Sequence, residues 1–433
     1  MGRFSNERFV IGVLACLFVA ATVLVVVALV TRTGRMPLLP PEPPELTAKR
    51  RNPENAFFAL QKLAESFPPV PKAPPPTSVA DLDRKPGPIG QLIGTTLPDD
   101  APEVIAYLET CRPKIDKLRE IIRRDIFMLP KIEEPEDWYH MRRLNLNVLW
   151  PGNLMQATGV YLENQREYRT GAEMYLDMVL FGQRVRADGL YYGTEVERGG
   201  LMRLRLMAWQ TKDTDLLGET TADLAKLETG EPAVLPTVEY TVRMRFDAPR
   251  SGRNRRRGGL GDAVIEVTTA FELRRARKEL RKVLPSILEN IDEPYLDANK
   301  VFQGHDDLSW YAIATIRSAQ NALNDATIIR ADIRATQAEL AIRRYQIATG
   351  MLPDSLDALV PDYLPEVPID PFSEQPLLYK LEDDGYRLYS VYEDGRDGGG
   401  VLDASDTGKS RRLYKHLSPD LIFHRPEGTK PTG

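Results

Sequence analysis

The side chains able to do chemistry are sparse and scattered. Four histidines occur, His140, His305, His416 and His424, and none has a partner at metal-ligand or triad spacing. No HExxH, GxSxG, phosphate-binding loop or dinucleotide fingerprint is present. His305-Asp306-Asp307 is one histidine beside two acids, which defines no first coordination shell. Its acids read as a helix start, because carboxylates complement the positive end of a helix. Cysteines number two, Cys16 and Cys111, with the first inside an apolar run. A disulfide is therefore not expected, and a cysteine-based zinc site is excluded. Carboxylates are plentiful, but no pair stands out from helix-surface charge. The expectation is a protein that is not an enzyme. The alternative is a hydrolase with its site in the helical body.

The elements that would position such groups begin with a membrane segment. Phe9 to Val30 holds no charged residue. As a helix it would span about 33 Å, enough for a hydrocarbon core of about 30 Å. Thr-Arg-Thr-Gly-Arg follows it rather than a small-residue cleavage site, so an uncleaved anchor is expected, with the lipid bilayer as its partner. Arginines flank both ends, so charge does not decide the orientation. Residues 36–51 read as a proline-rich linker.

Asn52 to Phe67 reads as a short amphipathic helix capped by Asn52. From Ala101 to Leu227 apolar residues recur three and four apart, with Pro113 as a break or a first-turn proline and Pro151 as a kink or interruption. Consecutive amphipathic helices of this kind must bury their faces on one another. Leu235 to Phe246 alternates like a strand within this helical body, so strand and helix both stay open. Val264 to Leu288 is a helix whose Arg274, Arg275, Arg277, Lys278, Arg281 and Lys282 form a solvated face. The basic stretch from Pro249 to Leu260 reads as a solvated loop, with contact to anionic lipid or nucleic acid as the alternative. With a net charge of −5, no specific nucleic-acid partner is expected.

The last quarter is the most closely specified part. A long helix from Leu308 ends at Gly350, a left-handed cap, and Pro353 prevents its continuation. Asp354 caps a short helix, Ser355 to Val360. Asp370-Pro371 is an Asx-type corner. One strand opens at Leu377 and another runs from Tyr386 to Tyr392, with Asp384-Gly385 as the hairpin turn. An acidic glycine-rich loop follows.

This order, with Tyr345, Gly350, Pro353, Asp370-Pro371, Tyr379, Gly385-Tyr386, Ser390, Asp394-Gly395 and Asp420-Leu421-Ile422, resembles the globular part of the type II secretion major pseudopilin. The start at Glu54-Asn55-Ala56 and the stretch from Leu340 to Pro371 also resemble a group of uncharacterised bacterial single-pass membrane proteins. The pseudopilin resemblance implies a possible Ca²⁺ at the C-terminal loop, carried by Asp394, Asp397 and Asp420. Hard oxygen ligands suit that ion. The rival reading is an acidic turn held by glycines. In a pseudopilin the membrane helix runs directly into the globular domain. Here roughly 300 residues and many prolines intervene, so an ordinary filament subunit is not expected.

The expected fold is mainly α with a small α+β C-terminal domain. Residues 1–35 hold the tail and membrane helix, 52–305 a helical domain, 306–425 a pseudopilin-like long helix with a short antiparallel sheet, and 426–433 a tail. The expected function is that of an inner-membrane, single-pass interaction or assembly protein with its body in the periplasm, acting on protein partners of an envelope or secretion assembly. A calcium-stabilised binding module is a further alternative.

Overall fold

The computed structural model describes residues 38–68, 102–129, 151–187, 192–246, 260–400 and 420–424. The apolar stretch from Phe9 to Val30 lies outside them, and no described helix is long and apolar enough to cross a membrane.

Eleven helices are named in chain order: α1 Pro44–Arg51, α2 Ala56–Ser66, α3 Pro102–Ile122, α4 at residues 151–164, α5 Tyr168–Arg186, α6 Tyr192–Ala208, α7 Thr214–Thr229, α8 Leu235–Phe246, α9 Leu260–Asn290, α10 Tyr295–Ala298 and α11 Trp310–Thr349. Three antiparallel strands close the fold, β1 Leu378–Glu382, β2 Gly385–Ser390 and β3 Leu421–His424, in the order β1-β2-β3. The protein is thus mainly helical with one small antiparallel sheet.

Several boundaries differ from the sequence reading for physical reasons. The linker is helical from Pro44, where a missing N–H costs nothing in the first turn. The cap of α2 is Asn55 rather than Asn52. Asn55 is fully buried. Its Oδ1 accepts from the Phe57 and Met128 amides (3.1 and 3.0 Å), and its Nδ2 donates to the Met128 carbonyl at 2.7 Å. One side chain thereby caps α2 and clips it to the segment after α3. Pro113 does not break α3. It faces solvent, where water can satisfy the carbonyl it leaves unpaired, while Leu108, Cys111, Ile115, Leu118 and Ile122 hold the buried side.

Leu235–Phe246 is a helix. Val238, Val242 and Phe246 are buried four apart, a spacing that satisfies both an alternating and a helical pattern. The hairpin turn falls on Asp383-Asp384, since Glu382 pairs with Gly385, one residue earlier than expected. β2 ends at Ser390, and Tyr392–Asp394 form a short 3-10 turn. The short helix after Gly350 is a 3-10 turn, Leu356–Leu359. It starts from Ser355 without a side-chain cap, so Asp354 does not cap it.

α11 supplies all three cores. Ile329, Ile333 and Leu340 belong to the core built on α2 to α7. Ala312 to Ala331 contribute to the core with α8 and α9. Ala335, Ala338, Ala341 and Ile342 pack against Leu356, Leu359, Leu364, Leu377, Tyr386 and Leu388. A helix that is apolar on several faces is a buried helix. It ends at Gly350, whose φ of 79° is left-handed. A Cβ there would meet nothing within 4 Å, so only backbone strain opposes a side chain. Gly350→Ala is expected to cost about 1 kcal/mol, and Gly350→Asn less, read from thermal unfolding midpoints.

Candidate functional site

The corner that follows α11 is set by Asp370, which is 1% exposed. Its Oδ1 accepts from the Phe372 amide (3.0 Å) and from the Ser390 hydroxyl (2.9 Å). Its Oδ2 accepts from the Val391 amide at 3.0 Å. The Asx turn expected at this position is present, and the same carboxylate also pins the end of β2 to the corner.

The three aspartates assigned to a cation are each engaged by donors within the loop. The Asp394 Oδ1 accepts from the Arg396 amide at 3.0 Å, at the surface. The Asp397 Oδ1 accepts from the Tyr389 hydroxyl and the Gly399 amide, both at 2.8 Å, and Lys380 lies 3.5 Å from its Oδ2. Burial works against the Asp397 charge, but the Gly399 amide, Tyr389 and Lys380 outweigh it and hold the carboxyl below its ordinary range. The buried Asp420 accepts from the Gly398 amide at Oδ1 (3.0 Å) and the Gly400 amide at Oδ2 (2.7 Å). Burial pushes its carboxyl up in spite of these two amides, and Asp397 and Asp394 add to the rise. Among the described residues no group of three or more His, Cys, Asp or Glu side chains could hold a metal ion. The three aspartates lie in one neighbourhood, and one oxygen of Asp394, one of Asp397 and both of Asp420 accept amide or hydroxyl hydrogens.

A second constellation, absent from the sequence reading, lies where α6 meets α11. α11 carries Asp325, Asp332 and Glu339 seven apart, and α6 carries Arg198 and Arg205 seven apart. Seven residues are close to two helical turns, so each set lines one face. The buried Asp332 takes Arg198 Nε at 3.2 Å and Arg205, which also donates to Thr336 Oγ1 at 2.8 Å. Glu339, 1% exposed, accepts at Oε2 from the Tyr386 hydroxyl (3.0 Å) and from Trp209 Nε1 (3.3 Å). Its Oε1 is 3.3 Å from His424 Nδ1, and the His424 ring stacks on Tyr386 with centroids 3.9 Å apart. Glu339 therefore ties the end of α6 to the sheet.

At the other end of the ladder, Arg186 of α5 lies between Glu197 and Glu231. Glu197 has no exposed surface, and burial pushes its carboxyl up against the pull of Arg186. Asp325 is raised to about 7, chiefly by burial, with Arg186 and Arg198 opposing. Proton-holding carboxyls near neutrality are the raw material of acid–base chemistry. Glu197, however, is fully buried and paired with Arg186 at 2.7 Å. The arrangement fixes helix register, a role for which buried charges are well suited.

An unfolded aspartate ionises near pH 4. Between about pH 4 and pH 7 the folded chain therefore holds a proton on Asp325 that the unfolded chain has lost. Stability contributed by that proton falls as pH rises through the window. Asp325 keeps an edge in water, which limits the effect. Asp325→Asn is expected to flatten the stability–pH profile from pH 4 to 7 and to stabilise the protein at pH 8 by about 1 kcal/mol. Urea midpoints at pH 5 and pH 8 measure both.

Comparison with protein-family models, with curated proteins and with solved structures gives no match to this chain. The class therefore rests on the fold and the site: a mainly helical protein whose longest helix is locked by ion pairs to the helices before it and by hydrogen bonds to a small sheet after it.

Proposed function

We propose that the protein is a single-pass, membrane-anchored interaction or assembly protein of the inner membrane, with its body in the periplasm and a C-terminal module resembling the type II secretion major pseudopilin. It acts through contact with protein partners and not through turnover. The observation that carries this reading is the placement of α11. Its last turns pack on the antiparallel sheet, the arrangement the resemblance implies. Its first half packs one side on α8 and α9, and its second half takes α6 and α7 through Asp332, Arg334 and Gln337. A filament subunit needs the first half of the helix to pack against other copies, and here α8 and α9 of the same chain occupy its apolar side. The Glu197–Arg186 and Asp332 ion pairs serve the same end, a rigid body that presents its outer surface.

Protease treatment of intact spheroplasts tests the arrangement. Digestion of the C-terminal module is expected, and full protection there rejects the proposed orientation. Affinity purification of the full chain from solubilised membranes then tests the role: recovery of envelope or secretion components is expected, and recovery of the chain alone counts against it.

A further inference from the structure

We infer that the outward face of α9, from Phe271 to Lys282 and joined by Trp310, lies on the anionic headgroups of the lipid bilayer. The inference rests on the membrane-anchored reading for the proximity of the bilayer, but its surface stands on separate observations. Arg274, Lys278 and Lys282 are spaced four apart and exposed, and none has a hydrogen-bond or ion-pair partner among the described residues. Leu273, Ala276, Leu280 and Leu284 form the buried side of the same helix. The acids on this stretch are Glu272, exposed beside Arg275, and Glu279, which is already engaged. The stripe is therefore cationic.

A solvated helix face accounts for the cations but not for the aromatics beside them. Phe271 is 47% exposed and sits one turn before Arg274 and Arg275. Trp310 is 70% exposed. Glu279 brings it to the stripe, since Oε2 accepts from the Ser309 amide at 2.8 Å while Oε1 accepts from Arg275 Nε at 2.9 Å. Tryptophan and phenylalanine next to lysine and arginine on one face are the chemistry of a surface that rests at the headgroup level.

The path of the chain keeps the bilayer within reach of this part of the body. Leu39 is buried in the same core as Leu273, Ala276 and Leu280. Arg243 of α8 donates to the Pro40 carbonyl at 2.8 Å, and Arg277 of α9 donates to the Phe246 carbonyl at the end of α8. Seven residues separate Val30 from Leu38. They can reach at most about 28 Å. An anchor ending at Val30 therefore holds this part of the body close to the membrane.

The test uses the full chain in bilayers of brominated phosphatidylcholine with or without phosphatidylglycerol, reading tryptophan emission. Trp310 is one of four tryptophans. In anionic bilayers a quenched component is expected that Trp310→Phe loses. The quenched fraction is expected to fall about twofold or more in high salt and in the combined Arg274→Gln, Lys278→Gln, Lys282→Gln variant. Exposed positions should leave the melting midpoint unchanged, which checks that the variants fold. Equal quenching in wild type and Trp310→Phe, or quenching indifferent to headgroup charge, overturns the inference. So does protection of Trp310 by an oligonucleotide where lipid gives none. Alkaline carbonate extraction separates the two readings. If the chain is released, the anchor fails, and the face survives only if the released chain still shows Trp310-dependent quenching on phosphatidylglycerol vesicles. If the chain is retained without that quenching, the face alone fails.

Discussion

Asp332→Ala is expected to destabilise the protein by about 3 kcal/mol, a fall in melting midpoint of roughly 5–10 °C. The carboxylate is 2% exposed and is the counter-ion for two guanidinium groups, Arg198 and Arg205. Removing it leaves both cations in the α6/α11 seam without a counter-ion, with the Thr336 hydroxyl and the residue-332 carbonyl as acceptors for Arg205. The penalty is the desolvation of charge that no longer has a partner, and not the intrinsic worth of the pairs. The combined variant Arg198→Met, Arg205→Met, Asp332→Leu is therefore expected to recover most of the loss. If Asp332→Ala melts within a degree of the wild type, the seam is wet and the ladder carries no structural weight.

Asp370→Ala is expected to cost a similar amount, about 3 kcal/mol, by a different route. Three donors lose their acceptor together: the Phe372 and Val391 amides and the Ser390 hydroxyl. Phe372 and Ser390 have no exposed surface, so water does not replace the carboxylate. Asp370→Asn keeps the Oδ1 acceptor but faces an amide N–H₂ toward the Val391 N–H, so an intermediate loss is expected. Hydrogen exchange adds a local readout, since the Val391 and Phe372 amides should lose protection more than those of α5. Unchanged protection at both amides in the alanine variant would falsify the clasp.

What the sequence made legible was local. Gly350 stopped a helix because a left-handed cap wants glycine, and Asp370 turned the chain because its side chain mimics a backbone acceptor. The helices of the body followed from apolar spacing, including α9 and α11 within a few residues. Where local rules were degenerate the reading slipped or stayed open. Val238, Val242 and Phe246 fit two periods at once, and tertiary packing chose the helix. Pro113 reads as either a break or a first-turn proline and yet lies inside α3, because the sequence does not say which side of a helix faces water. Asp394, Asp397 and Asp420 could be read as neighbours, but that they accept from the amides of Arg396, Gly398, Gly399 and Gly400 could not be read.

The ladder was out of reach for another reason. Arg205 and Asp332 are 127 residues apart, and nothing local says that their helices face each other. The signal that could have found it is the matched seven-residue spacing of opposite charges on two helices, which becomes informative once those helices are paired.

Because α11 is a wall of all three cores, those cores are coupled through one rigid rod. Freeing the sheet from it exposes Ala335 to Ile342, freeing α8 and α9 exposes Ala312 to Ala331, and neither half of the rod can unwind without loosening the other. The described residues should therefore melt as one cooperative unit. A load applied at the sheet would then be carried along the rod into α8 and α9, so the described body would transmit force as a strut and not as beads on a string.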